Sequence, residues 1–201
     1  MEGGQAHAIT YPLVTKADGT RFGKSADGAI WLDPEKTSPY KFYQFWMNTA
    51  DADVIRFLKI FTFLPLEKIS TLTEAHQSQP EARLAHQELA DAITLLVHGD
   101  EALAAAQRIT QAIFSNQILK LSLSDFEQLA QDGLPTLKTA ETDKLLTEAL
   151  FEGGLSVTPK GEVTRGQAKK LVLGNAISVN GQKQTSVDFS LDQNTALFGR
   201  F

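Results

Sequence analysis

Cysteine is absent from the 201-residue chain, which excludes disulfides, thiolate catalysis and zinc sites built on thiolates. Long hydrophobic runs are also absent: the most apolar stretch, residues 54–66, contains Arg56 and Lys59. A membrane span needs about 20 mostly apolar residues, and the first residues carry no signal-peptide pattern. With 42% apolar and 21% charged residues, the chain is predicted to be soluble, globular and cytoplasmic.

Charge is unevenly distributed around the net value of −5. Residues 1–66 hold seven basic and seven acidic side chains, residues 67–152 hold six and fourteen, and residues 153–201 hold six and three. An acidic middle followed by a basic end indicates separate modules with different partners.

Hydrophobic periodicity predicts a helical middle region. Ser38-Pro39 begins a helix that runs to Trp46, because serine caps helix N-termini and proline suits the first helical position. Asn48 or Thr49 is expected to cap the next helix, which should run to residue 63. Further helices are predicted at residues 66–77, 81–98, 101–114 and 123–133, with Gly99 as the stop between the fourth and fifth of these six.

The two ends of the chain have a different character. Residues 7–15 are apolar and β-branched, which predicts a strand, and Pro12 restricts it to an edge or a strand end. Near the other end, helices are predicted at residues 143–151 and 165–173. Asn180-Gly181 then predicts a type I′ hairpin turn, because both positions favour positive φ.

A glycine-rich loop at residues 19–25 is the first candidate site. It nearly matches a P-loop, but only three residues separate Gly19 from Gly23, and no helix follows the Lys-Ser pair, so a P-loop is excluded. The two cations Arg21 and Lys24 could still close over a polyphosphate and stabilise charge on a departing pyrophosphate. A solvated surface loop is the alternative interpretation.

A basic helix near the end of the chain is the second candidate. Arg165, Lys169 and Lys170 fall on one side of it, and Asn180 and Lys183 lie in the following hairpin. A cationic helix beside a hairpin can bind phosphates, and each neutralised phosphate increases the salt dependence of binding. A solvated helix face is the alternative.

The loop residues carry a family resemblance. Residues 21–25, Arg-Phe-Gly-Lys-Ser, resemble the variant "KMSKS" signature of class I aminoacyl-tRNA synthetases. The segments 15–20, 31–33, 37–46 and 48–54 are similar to the bacterial tyrosyl-tRNA synthetase family, and a looser similarity continues to residue 201. The resemblance implies an enzyme that activates tyrosine with ATP and Mg²⁺ and transfers it to tRNA(Tyr).

The resemblance also assigns roles to the loop. Lys24 occupies the position of the signature lysine that contacts ATP, flanked by Gly23 and Ser25. Arg21 stands in place of the usual first lysine, so the positive charge is retained on a planar guanidinium. Lys24 and Arg21 are therefore the expected catalytic residues.

Two aspartates open the second predicted helix. Asp51 and Asp53 could simply complement its dipole, typically by about 0.3–1 kcal/mol each. The resemblance places this helical region near the anticodon, which for tyrosine begins with a guanine-type base. One carboxylate can accept both donors on a guanine edge, so one of the two aspartates is expected to read that base.

The basic end resembles the "S-four" RNA-binding module, through residues 164–170 and 179–181. The resemblance then implies that residues 1–33 are a remnant of a Rossmann-type catalytic domain, residues 34–140 an α-helical anticodon-binding domain, and residues 141–201 the RNA-binding module. The expected fold class is mainly α with a small α+β module at the C-terminal end.

The resemblance further predicts a chain cut at both ends. Such a fragment should bind tRNA but be inactive alone, and the full enzyme should form a homodimer through the missing half. The alternatives are a stand-alone RNA-binding module without catalysis and a helical scaffold without a ligand.

The remaining candidates are histidines and aromatic residues. His7, His76, His86 and His98 show no ligand spacing, so no metal site is predicted. The aromatic side chains between residues 40 and 63 are expected to pack in the core rather than to stack on bases.

Overall fold

The protein is mainly helical with a small strand content, as predicted. The computed structural model describes residues 7–23, 30–139, 143–192 and 195–197. Within those ranges, no helix has both the length and the apolar character needed to cross a membrane. The chain divides into two compact units, residues 1–31 with 45–93 and residues 32–44 with 94–201, here called the first and second units.

Helix α1 forms where the Ser38-Pro39 pair predicts it. It spans Pro39–Met47, and the Ser38 hydroxyl accepts a hydrogen bond from the Lys41 backbone N–H at 3.1 Å. This bond satisfies one of the backbone donors that a helix N-terminus leaves free. Helices α2 (Asp51–Phe61) and α3 (Leu66–Ser78) follow after short turns.

The predicted cap of α2 is wrong. Ala50 holds the N-cap position and makes no side-chain capping bond, so neither Asn48 nor Thr49 performs that role. Acidic residues in the first turn complement the helix dipole at this end. The helix ends at Phe61, two residues earlier than predicted.

Helix α4 spans Leu84–Phe114 and begins three residues later than predicted. Pro80–Ala82 form a single 3₁₀ turn, and Arg83 then adopts a left-handed conformation with φ 52°. Gly99 interrupts the helix with φ 82° and ψ 178°, which confirms the predicted stop. Glycine suits this position because other residues pay a steric cost at positive φ.

The first unit packs its helices around aliphatic and aromatic side chains. Its buried apolar residues come from the end of α1, from α2 and α3, and from the beginning of α4: Trp46, Val54, Phe57, Leu58, Ile69, Ala85, Leu89, Ala90 and Ile93. Core packing of the predicted aromatic set is confirmed for Phe57 and, in the same unit, Trp46. Phe63 is the exception, because its side chain is 91% exposed.

The predicted strand at residues 7–15 does not form. Among the described residues, 7–14 have no strand pairing, and Thr15 makes only an isolated antiparallel bridge with Arg21. A β-strand depends on a partner for its backbone donors and acceptors. Without a neighbouring strand, the apolar pattern of this segment leaves Ile9, Tyr11 and Leu13 exposed.

The second unit contains a core in which Tyr40 packs with residues between 109 and 129. Helix α5 (Leu123–Gln128) begins with a capping box formed by Ser122 and Asp125, and a π-helical turn follows at Leu129–Gly133. The buried members of this core are Tyr40, Ile109, Ala112, Leu121 and Leu129. The predicted helix at residues 123–133 is therefore present, with its last turn widened.

The C-terminal part of the second unit is a small α+β assembly. Its elements are β1 (Lys144–Leu145), α6 (Leu146–Glu152), α7 (Arg165–Leu173), β2 (Ile177–Val179), β3 (Gln182–Gln184) and β4 (Ser190–Leu191). The helix predicted from residue 143 begins at Leu146, because residues 144–145 pair with β4 instead. The predicted hairpin is confirmed, with β2 antiparallel to β3 and positive φ at both turn residues.

Helices α6 and α7 share one apolar core. It contains Leu146, Leu150, Ala168 and Val172, and apolar residues of β2, of β4 and of the segment just before β4 pack against it. Burying α7 on this side leaves its opposite face for solvent.

Candidate functional site

The described part of the signature loop is a tight turn in the first unit. The Lys16 N–H donates to the Thr20 carbonyl at 2.8 Å, and the Phe22 N–H donates to the Val14 carbonyl at 3.0 Å. Arg21 is exposed, and Gly23 has φ 79°. Lys24 and Ser25 lie outside the described residues. The structure thus presents the guanidinium of Arg21 to solvent at the base of the loop.

Phe22 anchors this turn in an aromatic cluster. Its ring centroid lies 5.0 Å from Phe57, 5.0 Å from Phe61, 5.5 Å from Trp46 and 6.0 Å from Phe45. Edge and offset contacts of this kind add about 0.5–1.5 kcal/mol per pair beyond area burial. The signature loop is therefore fixed to the helical part of the first unit at the residue just before Gly23.

Asp53 provides a second attachment for the turn. Its side chain is buried, and Oδ1 accepts a hydrogen bond from the Ala17 backbone N–H at 2.8 Å. Hydrogen bonds to a charged acceptor are about twice as strong as neutral ones. This carboxylate is directed into the protein and toward the loop.

Asp51 has a contrasting environment, with 61% of its side chain exposed. Its Oδ1 lies 3.1 Å from His86 Nε2 and 3.9 Å from Arg83 Nη1. Burial lowers the pKa of His86 and the Arg83 charge lowers it further, while Asp51 acts in the opposite direction. The Asp51 carboxylate is thus the one that a ligand from solvent can reach.

The basic helix α7 carries three cations that are exposed to solvent. Thr164 caps it by accepting from the Gln167 N–H at 3.1 Å. Arg165, Lys169 and Lys170 are exposed, and the Arg165 guanidinium lies 4.9 Å from the centre of the Phe151 ring. A guanidinium at this distance from an aromatic face gains cation–π attraction and loses mobility.

The hairpin residues Asn180 and Lys183 are also exposed, but each makes a contact of its own. Asn180 Nδ2 donates to the Thr195 carbonyl at 2.7 Å, and Lys183 Nζ donates to the Asn175 carbonyl at 2.9 Å. These bonds tie the hairpin to neighbouring loops. Both side chains therefore have a structural role in addition to any contact with a ligand.

Sequence reasoning missed two arrangements. The loop anchor Phe22 carried no signal besides its place inside the signature. His76 and His86 are ten residues apart and show no ligand spacing along the sequence, yet the turn between α3 and α4 places their ring centroids 5.5 Å apart. A search for histidines on either side of a helix–helix turn could have found the pair.

Comparison with known proteins gives two family matches. A family model described as tRNA synthetases class I (W and Y) matches residues 3–115, and a model described as tyrosine–tRNA ligase SYY-like C-terminal domain matches residues 125–201. Together they match both the loop-bearing part of the chain and the basic α+β part.

Individual relatives are tyrosine–tRNA ligases. Those of Escherichia coli O8 (strain IAI1) and O139:H28 (strain E24377A / ETEC) are 51% and 50% identical over 197 residues, which is 98% of this chain and 45% of each relative. A crystal structure of a C-terminally truncated mitochondrial tyrosyl-tRNA synthetase from Coccidioides posadasii matches 50% of this chain and 26% of its own, with 40% identity and a TM-score of 0.43.

The chain spans slightly under half the length of the curated relatives it matches. The resemblance inferred from residues 21–25 and their neighbours is confirmed at the level of the family. Because the first family model covers more than half of the chain, this protein belongs to the class I tRNA synthetases of the tryptophan and tyrosine group.

Proposed function

We propose that the chain is the C-terminal portion of a tyrosine–tRNA ligase and that it supplies tRNA binding. The observation that carries this is the exposed cationic face of α7 within a region that matches the C-terminal domain of that ligase. The whole enzyme would activate tyrosine with ATP and Mg²⁺ and transfer it to tRNA(Tyr) in the cytoplasm. It would form a homodimer through the half that this chain lacks.

The domain boundaries follow from the same proposal. Residues 1–33 would be the remnant of the catalytic domain, residues 34–140 the α-helical anticodon-binding domain, and residues 141–201 the RNA-binding module. The two anchors on the signature turn, Phe22 and Asp53, support a role for the helical region in holding that turn. Lys24, with Arg21, Gly23 and Ser25, would contact ATP and the departing pyrophosphate. The chain alone should give no tyrosine-dependent pyrophosphate exchange.

The tRNA surface would consist of Arg165, Lys169 and Lys170 together with the hairpin residues Asn180 and Lys183. Three cations on one rigid helix can reach neighbouring phosphates without a cost for ordering the backbone. Arg165 is the best ordered of the three because it lies against Phe151. It is expected to contribute most per residue.

A binding experiment tests this surface. The variant Arg165→Ala/Lys169→Ala should bind tRNA(Tyr) about tenfold more weakly, and the salt slope of log K should fall by about 1 to 2 units. The matched control Lys120→Ala/Lys138→Ala removes the same charge from exposed positions outside the C-terminal module. If both variants lose affinity equally, the attraction is a general charge effect and the proposed surface is wrong.

Among the two aspartates, we assign the anticodon role to Asp51. Asp53 is buried and committed to the Ala17 N–H, whereas the Asp51 carboxylate is exposed. A carboxylate at this position can accept from both the ring N–H and the exocyclic amine of guanine. Asp53, two residues away, provides the control position for substitutions of Asp51.

The assay compares tRNA(Tyr) with a version that carries adenine at the first anticodon position. Adenine lacks the paired donors, so the wild-type chain should prefer the guanine form. Asp51→Asn should remove most of that preference, since its amide oxygen can accept only part of the pattern. A preference that persists in Asp51→Asn but is lost in a folded Asp53→Asn variant would reverse the assignment.

A further inference from the structure

Three residues of metal-ligand type converge where three helix ends meet in the first unit. Asp51 is the first residue of α2, His76 lies in the last turn of α3, and His86 lies in the first turn of α4. One ligand atom from each falls within 4.8 Å of the other two. They come from three separate helices, so their proximity is a product of the tertiary fold.

His86 is the buried member of the cluster, with no exposed side-chain surface. Within the described residues neither of its ring nitrogens makes a well-aligned hydrogen bond, although Nε2 lies 3.1 Å from Asp51 Oδ1 and the backbone of Thr49 also interacts with the ring. His76 Nδ1 is likewise buried without a partner, while its Nε2 lies 3.2 Å from the Asp51 carbonyl. Buried polar atoms without partners cost free energy, and a bound ion would satisfy one nitrogen of each ring.

The donor set identifies the class of ion. Two imidazole nitrogens and one carboxylate oxygen suit Zn²⁺, Co²⁺ or Ni²⁺, whereas Mg²⁺ and Ca²⁺ prefer oxygen ligands alone. Three protein ligands with a fourth position open to water form a common zinc arrangement. The exposed side of Asp51 provides that opening.

The cluster needs only a small adjustment to reach coordination geometry. Tetrahedral ligand atoms about 2.0–2.1 Å from a zinc ion lie about 3.3 Å from one another. The pair Asp51 Oδ1 and His86 Nε2 already meets this spacing, and the largest separation of 4.8 Å must close by about 1.5 Å. His76 is partly exposed near a helix end, so its ring can rotate toward the other two.

Arg83 is the neighbouring charge that opposes a cation. Its Nη1 lies 3.9 Å from Asp51 Oδ1, but its Nη2 donates to the Met47 carbonyl, which holds the guanidinium to one side. With 43% of its side chain exposed, Arg83 can also move into solvent.

We propose that Asp51, His76 and His86 form a binding site for one divalent transition-metal ion of the zinc type, with water as the fourth ligand. The same Asp51 carboxylate is assigned above to the anticodon, and an ion would compete with that role. The metal site itself does not depend on that assignment, because it can be tested with no RNA present.

The test uses the full chain freed of metal and titrated with Co²⁺, followed by visible absorption, and with Zn²⁺, followed by calorimetry. One ion should bind per chain, and the Co²⁺ spectrum should show the intense bands of tetrahedral coordination. His76→Gln and Asp51→Asn should each weaken binding at least tenfold. His7→Gln, which removes an exposed histidine outside the cluster, is the matched control and should bind like the wild type.

Circular dichroism first establishes that each variant folds, because His86→Gln changes a buried side chain. His76→Gln and Asp51→Asn change partly or largely exposed side chains, so they decide the question whether or not His86→Gln folds. Absence of one-to-one Co²⁺ binding below about 1 mM would overturn the proposal. Equal binding by wild type, His76→Gln and Asp51→Asn, or an equal loss in His7→Gln, would overturn it as well.

Discussion

The bidentate ion pair between Arg108 and Asp125 offers a quantitative test of what holds the second unit together. Arg108 donates to the Asp125 carboxylate from Nε at 2.9 Å and from Nη2 at 2.6 Å. The same carboxylate accepts from the Ser122 N–H at 2.9 Å and the Ser122 hydroxyl at 2.8 Å. Asp125 is fully buried, so this one side chain joins α4 to the start of α5.

The substitution Asp125→Ala removes all four bonds. A charge-assisted hydrogen-bonded pair contributes about 1.5–3 kcal/mol in a buried setting. The lower end of that range applies to Arg108 and Asp125, because the Arg108 side chain is 48% exposed and water can replace the lost carboxylate. Loss of the capping box adds about 1 kcal/mol. We therefore expect Asp125→Ala to lower the free energy of unfolding by about 2–4 kcal/mol.

Urea unfolding followed by circular dichroism measures this loss, and a double-mutant cycle with Arg108→Ala isolates the pair. Arg108→Ala should cost at least as much as Asp125→Ala, because it leaves a buried carboxylate with only the Ser122 donors. The double variant should be less destabilised than the two single variants combined, by about 1–2 kcal/mol. The control Glu162→Ala removes an exposed carboxylate and should change stability by less than about 0.5 kcal/mol.

The reasoning is refuted if Asp125→Ala costs less than about 1 kcal/mol or if the cycle shows no coupling. The pair also has a defined pH signature. Burial acts to raise the pKa of Asp125, but the bonds from Arg108 and Ser122 outweigh it and hold this pKa below its ordinary value. The stabilisation by the ionised Asp125 carboxylate is complete above the unfolded pKa of about 3.9. It is lost as the pH falls through the lower pKa that Asp125 has in the folded protein.

Two further predictions concern His98 and Gly133. Burial lowers the pKa of His98, whose ring packs at right angles to the Phe42 ring with the centroids 4.7 Å apart. The neutral ring therefore stabilises the fold fully above the unfolded pKa of about 6.5, and this stabilisation declines as the pH falls below that value. Between pH 7.5 and 5.5, the free energy of unfolding should fall less in His98→Gln than in the wild type, and an equal fall would contradict this. A Cβ on Gly133 would lie 2.8 Å from the Tyr40 ring, so Gly133→Ala should cost about 1–3 kcal/mol in urea unfolding. Gly166→Ala, a helical position with open space around it, should be neutral or slightly stabilising, and a similar cost at both glycines would argue against the steric explanation.

Local signals in the sequence predicted the helices whose ends are determined by their own residues. Ser38 caps α1, Thr164 caps α7, Gly99 interrupts α4, and Asn180-Gly181 turns the hairpin. Each depends on backbone conformation or a hydrogen bond within about four residues. Such features can be read from one sequence because no distant segment is needed to form them.

The features that the sequence did not predict depend on distant segments. The strand at residues 144–145 forms only because Leu191 and Ser190 pair with it. The segment at residues 7–15 has strand-like composition but, among the described residues, no sheet to join. The meeting of His76 with His86 depends on how α3 packs beside α4, which periodicity does not specify.

The two aspartates of α2 show where prediction could have gone one step further. Residues two positions apart on a helix point about 200° away from each other, so Asp51 and Asp53 could not both face solvent or both face the core. The sequence therefore already implied one outward and one inward carboxylate. Asp53 is the inward carboxylate because it accepts a hydrogen bond from the Ala17 N–H, which lies 36 residues away in the signature loop region. A single long-range hydrogen bond thus separates the carboxylate that supports the signature turn from the one left for a ligand.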